Sequence, residues 1–133
     1  MSRLPFSFPI RVYWEDTDAG GVVYHASYVR FLERARTEYL RAQGVGQQAL
    51  RESEDLVLAI RDMTLDFRKP ARLDDELQVS VVMTERRKAS LLFEQEISRG
   101  DQVLVRATVR AACLVASSFL PRPLPEWLAP DTE

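Results

Sequence analysis

Two aspartates, two adjacent glycines and the chain's one histidine crowd into a short stretch, as Asp16, Asp18, Gly20, Gly21 and His25. A carboxylate on a glycine-bearing turn just ahead of a helix is a hydrolytic arrangement. The carboxylate can attack a carbonyl or activate water, and the unpaired N–H groups of a helix start can hold the oxygen as it turns negative. The helix dipole adds about half a positive charge at that end. Gly20 and Gly21 permit positive φ and let a substrate come close to the backbone. A histidine can hydrogen-bond a substrate or shuttle a proton near neutral pH, and His25 stands where either would serve. Aspartates beside glycines are also ordinary turn residues, and Asp16 fits that capping role better than a chemical one.

A helix and a sheet must hold this loop. Tyr28, Phe31, Leu32, Ala35 and Tyr39 recur at the spacing of one helical face, with Arg30, Glu33, Arg34, Thr37 and Arg41 elsewhere. The pattern predicts a helix over 26–43, about 27 Å long, with Ser27 or His25 as N-cap and Gly44 and Gly46 as the stop. Before the loop, Ile10, Val12 and Trp14 alternate with Arg11 and Tyr13 as a strand over 10–14. After the helix, 47–52 reads as a short extra helical turn, and a longer strand runs from Leu56 to Pro70. On that strand Val57, Ala59, Met63, Leu65 and Phe67 make a more apolar face than Leu58, Ile60, Asp62, Thr64 and Asp66. Three more strands follow, marked by Leu77, Val79, Val81 and Met83, by Leu91, Phe93 and Ile97, and by alternate residues from Val103 to Val115. Their connections are short, which favours antiparallel neighbours. One long helix in the concave face of a curved antiparallel sheet of five strands satisfies this inventory, an α+β class. Leu58, Ile60 and Val82 are then left on the outer face, where oligomerisation would cover them.

With 133 residues, 46% of them hydrophobic, the expectation is one domain over 1–133, ending in a Pro-rich surface tail over 119–133 that holds Pro121, Pro123, Pro125 and Pro130. A net charge of −2 gives no general attraction to nucleic acid. The basic run Arg86, Arg87, Lys88 lacks the extended basic face and stacking aromatics that nucleic-acid binding needs. A single cysteine, no leader-like run and no transmembrane segment lead to a cytoplasmic expectation. Cys113, on an apolar strand face, reads as a buried structural thiol. No group has metal-ligand spacing and no Gly-rich phosphate loop is present, so no metal and no cofactor are expected.

The run RVYWEDTDAGGVVYHASYVRFLERARTEYL, continued by MTLDFRKPARLDDEL, resembles the YbgC-type acyl-CoA thioesterases of the 4-hydroxybenzoyl-CoA thioesterase superfamily, often encoded beside the Tol–Pal system. The likeness covers the chain from Phe6 to about Val115 and implies the hot-dog fold. It implies Asp18 as the catalytic carboxylate and His25 beside the thioester, with Gly21, Val22, Tyr24, Ala26, Tyr28 and Met63 around the substrate. It also implies Arg86, Arg87 and Lys88 on the phosphates of coenzyme A, with Arg68 and Lys69 as weaker candidates. At the position of Trp14 the family commonly has Tyr, so any role for a hydroxyl there is missing here. A sister branch uses a helical carboxylate, but Glu33 falls on the polar side of this helix. The implied activity is hydrolysis of acyl-CoA to a free acid and coenzyme A by a homo-oligomer, with a dimer as the site-forming unit, assembled into a tetramer. Two alternatives stand beside it: a thioesterase acting on acyl carrier protein, and a non-catalytic acyl-CoA-binding scaffold linked to phospholipid synthesis.

Overall fold

The computed structural model describes residues 6–128. Strand β1 (Phe6–Arg11) leads through a single 3-10 turn (Trp14–Asp16) and the glycine loop into helix α1 (His25–Ala42). A short helix α2 (Gln47–Glu54) follows, then β2 (Leu56–Phe67), β3 (Glu76–Arg86), β4 (Ser90–Arg99) and β5 (Gln102–Val115). All five strands join one antiparallel sheet in the order β1-β3-β4-β5-β2. The core lies between α1 and the inner sheet face. Phe31, Leu32 and Ala35 of the helix meet side chains such as Leu77, Val79, Phe93, Ile97 and Val109, all almost inaccessible to solvent. The expected α+β architecture is therefore the one observed.

Local chemistry corrects the sequence expectations at four places. The N-cap of α1 is Tyr24, not Ser27 or His25, and its side chain makes no capping bond. Ser27 is buried inside the first turn, where its hydroxyl accepts from Arg30 Nη2 at 3.1 Å. What directs the chain into the helix is the Tyr24 N–H, which donates to the Asp16 carbonyl at 2.8 Å. At the other end Gly44 takes a φ of +84° and Val45 N–H returns to the Leu40 carbonyl at 2.9 Å, so Gly44 is the stop. Gly46 is the N-cap of α2.

The first strand ends before Trp14. The Asp16 carboxylate accepts the Tyr13 N–H at 2.8 Å and turns the chain away from the sheet, leaving Trp14 80% exposed. A third correction has the larger consequence. In the pairing of β2 with β5, Ile60 faces Ala111 and Asp62 faces Arg110, so Arg61 is an extra residue. A single insertion inverts the alternation. Leu58 and Ile60 oppose the inward-facing Cys113 and Ala111, while Met63, Leu65 and Phe67 oppose Val109, Ala107 and Val105. Leu58 and Ile60 thus belong to the inner face, contrary to expectation, and only Val82 stays outside. β2 remains an edge strand of 12 residues.

The expected surface tail is, fourthly, partly core. Leu124 and Leu128 are buried, and Arg86 holds this segment by donating to the carbonyls of Leu128 (3.1 Å) and Pro125 (2.7 Å). Pro130 lies outside the described residues. Cys113 is a buried free thiol, and burial pushes its pKa up.

Candidate active site

The glycine loop is pinned at both ends. Thr17 and Val23 form an antiparallel bridge, Asp18 N–H donates to the Val22 carbonyl, and Gly21 N–H returns to the Asp18 carbonyl, each at 3.0 Å. Gly21 sits at φ +82°, a conformation that side-chain-bearing residues rarely adopt. Gly20 donates its N–H to Asp18 Oδ1 at 2.8 Å, and a Cβ at Gly20 would stand 3.1 Å from that oxygen. The exposed carboxylate is therefore held by one oxygen. Among the described residues Oδ2 carries no hydrogen bond, which leaves it open to a water or a carbonyl carbon.

Asp16, two residues earlier, has the opposite environment. Only 3% exposed, it accepts from Tyr13 N–H and from Arg30 Nη2 at 3.3 Å, so both oxygens are engaged. Its work is to join the end of β1 to the start of α1. Spacing alone could not tell the two acids apart, because the difference lies in which one the backbone turns inward.

At the helix start, the His25 and Ala26 N–H groups have no acceptor among the described residues, and Tyr24 offers none. Four aromatic rings gather there. His25 lies against Tyr24 with centroids 4.4 Å apart, Phe67 meets His25 at 6.5 Å, and Tyr28 meets Phe67 at 5.7 Å. Sequence reading did not select Phe67. Its signal was its place as the last apolar residue of β2, where the chain leaves the sheet beside the helix tip. Half exposed, it offers an apolar wall to a ligand. Met63 lies on the same face of β2, about 13 Å further along at ~3.3 Å per residue, and is half-buried.

Tyr28 ties the tip to the loop before β3. Its hydroxyl accepts the Ala71 N–H at 3.0 Å, while Val23 N–H donates to the Ala71 carbonyl at 2.9 Å. Burial raises the Tyr28 pKa, and the Ala71 hydrogen bond only partly opposes it. The same loop is locked by Asp75. Burial works against ionisation of that acid, but the Arg72 N–H and the Arg99 guanidinium at 2.6 Å outweigh it and hold its pKa low. Tyr28→Phe removes the acceptor and leaves a buried N–H at Ala71. The variant should lose about 1–3 kcal/mol of stability, measured by urea unfolding at fixed protein concentration. An unchanged midpoint would show that water replaces the hydroxyl.

The basic run falls far from this tip. Ala71 precedes β3, and Arg86 closes that strand ten residues after Glu76, about 33 Å along its length at ~3.3 Å per residue. Arg86 is committed to the C-terminal segment, and Arg87 pairs with Glu85 at 3.0 Å. Arg87 and Lys88 are the exposed cations of that turn. Arg68 and Lys69, by contrast, follow Phe67 directly, and both their N–H groups donate to the Leu104 carbonyl. Within one chain the structure brings together Asp18, Gly21, Val22, Tyr24, His25, Ala26 and Tyr28, and does not bring Arg86, Arg87 and Lys88 to them. Among the described residues no His, Cys, Asp and Glu cluster could hold a metal ion, and no helix is long and apolar enough to cross a membrane.

Comparison with known proteins gives this geometry its context. A family model described as the thioesterase-like superfamily matches residues 12–131. The acyl-CoA thioesterase YbgC of Haemophilus influenzae is 47% identical over 121 residues, 91% of this chain and 89% of that one. The acyl-CoA thioester hydrolase YbgC of Escherichia coli is also 47% identical, over 98% of both chains. Among solved structures, a probable thioesterase from Bartonella henselae superposes with a TM-score of 0.88 at 36% identity, covering 92% of this chain and all of the other. A 1,4-dihydroxy-2-naphthoyl-CoA thioesterase from Synechocystis gives 0.85 at 27%, covering 92% of this chain and 90% of the other. The match spans the pinned loop, the helix and the whole sheet, so the chain is a hot-dog protein of the thioesterase-like superfamily and belongs within it to the YbgC family.

Proposed function

We propose that the protein hydrolyses acyl-CoA thioesters. Water adds across the C(=O)–S bond, the acyl group leaves as a carboxylic acid, and coenzyme A leaves as a thiol. The observation that carries this reading is the contrast at the helix tip, where a carboxylate with one free oxygen precedes N–H groups that no residue caps. Asp18 acts as nucleophile or as general base toward water, and the His25 and Ala26 N–H groups receive the developing oxyanion. Gly21 and Val22 hold the loop open to the thioester. Tyr24, Tyr28, Phe67 and Met63 wall the acyl group, and His25 takes or gives a proton or orients the substrate. The 47% identity to enzymes named as acyl-CoA thioesterases supports the same reading.

The working unit is a homodimer. The edge of β2 can pair with a second copy, a position that natural proteins leave uncovered only at some risk. Distance supports the same conclusion. Arg87 and Lys88 lie past the opposite end of β3 from their own helix tip, so their phosphate contacts are assigned to substrate held in the other copy's site. The lone buried thiol fits a cytoplasmic setting.

The test is steady-state release of free thiol from a panel of acyl-CoAs, with the chain's mass in solution measured alongside. Turnover by a dimer or a multiple of it is expected. Binding of several acyl-CoAs without release would replace the enzyme by a scaffold. Cleavage of acyl carrier protein thioesters that free coenzyme A fails to inhibit would move the substrate to the carrier protein.

A further inference from the structure

One buried cation makes no ion pair among the described residues. Arg36, in the middle of α1, is only 6% exposed. A guanidinium offers five N–H donors, yet its one hydrogen bond among the described residues runs from Nη1 to Gln95 Oε1 at 3.0 Å. Gln95 is itself 2% exposed and is fixed by donating from Nε2 to the Leu32 carbonyl at 3.1 Å. No carboxylate comes within 4.0 Å of Arg36 among the described residues. The nearest acid in effect is Glu33, one turn back and exposed. Burial lowers the Arg36 pKa, and Glu33 only partly opposes it. A cation buried without an ion partner is costly, so such a group is kept where something else neutralises it.

The surroundings say what that is. Arg36 lines a hollow of about 40 Å³ between α1 and the start of β2, walled by Leu40, Leu58, Ile60 and Phe93, with Glu33, Thr37 and Gln47 on its polar side. Because Arg61 bulges out, the inner row of β2 runs unbroken from this hollow through Ile60, Met63 and Leu65 to Phe67 at the helix tip. α1 packs against β1 and β3, and this row stays half open, with Ile60 44% and Phe67 51% exposed. An apolar row therefore runs from the helix tip to a hollow that Arg36 and Glu33 both line.

We propose that Arg36 is a specificity-determining residue that receives a carboxylate at the far end of the acyl chain, so that the preferred substrates include the mono-CoA thioesters of dicarboxylic acids. This rests on the thioesterase reading above. Arg36 lies 11 residues beyond His25, or about 16 Å along the helix. At the ~1.2 Å per bond of an extended chain, and allowing for the reach of the arginine, an acyl group of about ten to twelve carbons fits. A carboxylate would supply the direct ion pair that Glu33 does not make and could bind the Nε–Nη2 edge of the guanidinium bidentately.

The experiment compares kcat/KM for dodecanedioyl-CoA with dodecanoyl-CoA, and for succinyl-CoA with butyryl-CoA, in wild type, Arg36→Met and Arg36→Lys. Wild type should favour the dicarboxylic member of the long pair and not of the short pair. Arg36→Met should cut that long-pair ratio about 10- to 100-fold, the loss typical of a charge-assisted hydrogen bond, and Arg36→Lys should restore part of it. A wild type that favours the methyl-terminated member of the long pair overturns the proposal, whether or not the variants fold. So does a ratio that survives in folded Arg36→Met, because the carboxylate would then be read elsewhere. If no thioester of any kind is cleaved, the thioesterase reading itself fails; cleavage without discrimination sinks only the role of Arg36.

Discussion

Asp18→Asn is expected to lower kcat for acyl-CoA hydrolysis by at least about 10²-fold, within the range for loss of a general base or an essential nucleophile. The substitution is clean for a structural reason. Asp18 Oδ1 accepts the Gly20 N–H at 2.8 Å, and the carbonyl oxygen of Asn can keep that bond, so the loop and its Thr17–Val23 bridge stay closed. What disappears is the negative charge on the oxygen that nothing else holds. Rates on the acyl-CoA panel, with circular dichroism and thermal melts as the folding control, decide the matter. Turnover within tenfold of wild type in a folded variant would remove Asp18 from the chemistry. The next acid to test would be Glu33, which is exposed on α1 beside the buried Arg36.

Phe31→Ala should have the largest effect on stability. The ring is fully inaccessible at the centre of α1 and stands edge-on to Tyr28, with centroids 6.1 Å apart. Truncating a buried phenylalanine costs about 3–5 kcal/mol. For a domain of this size the melting temperature should fall by at least about 10 °C. Protein concentration must be held constant, because an oligomer's melting point depends on it. The damage should also reach the site, since Tyr28 loses its packing partner and with it the support for its bond to Ala71. A shift of only a few degrees would mean that the sheet collapses onto the cavity and that α1 is not the organising element.

Burial period explains where the sequence spoke clearly and where it did not. The face of Tyr28, Phe31, Leu32 and Ala35 is buried in the structure as the helical spacing required, because one long helix has only one side to hide. The strands carrying Leu77, Val79 and Val81, and Val105, Ala107 and Val109, likewise face inward as alternation demanded. Two signals were present and unused. Gln95 interrupts the inward row of Leu91, Phe93 and Ile97, and Arg36 sits four residues after Leu32 on the buried side. A polar residue in an apolar register needs a polar partner, and these two meet each other in one hydrogen bond.

The acids and glycines ahead of an amphipathic helix, the two-residue period of the sheet and the motif shared with a thioesterase family were fixed by residue order alone. They depend on local spacing, which the chain carries with it into any environment. Folding in three dimensions decided the rest. It turned Asp16 inward and left Asp18 with a free oxygen, through hydrogen bonds to Tyr13, Arg30 and Gly20. It placed one extra residue at Arg61, which moved Leu58 and Ile60 to the inner face. It also set Arg86, Arg87 and Lys88 at the far end of β3 from the helix tip. The bulge and the place of the basic run rest on strand pairing between residues distant in sequence, and the split between the two acids rests on which backbone groups each carboxylate reaches once the loop is folded; the spacing of residues encodes neither.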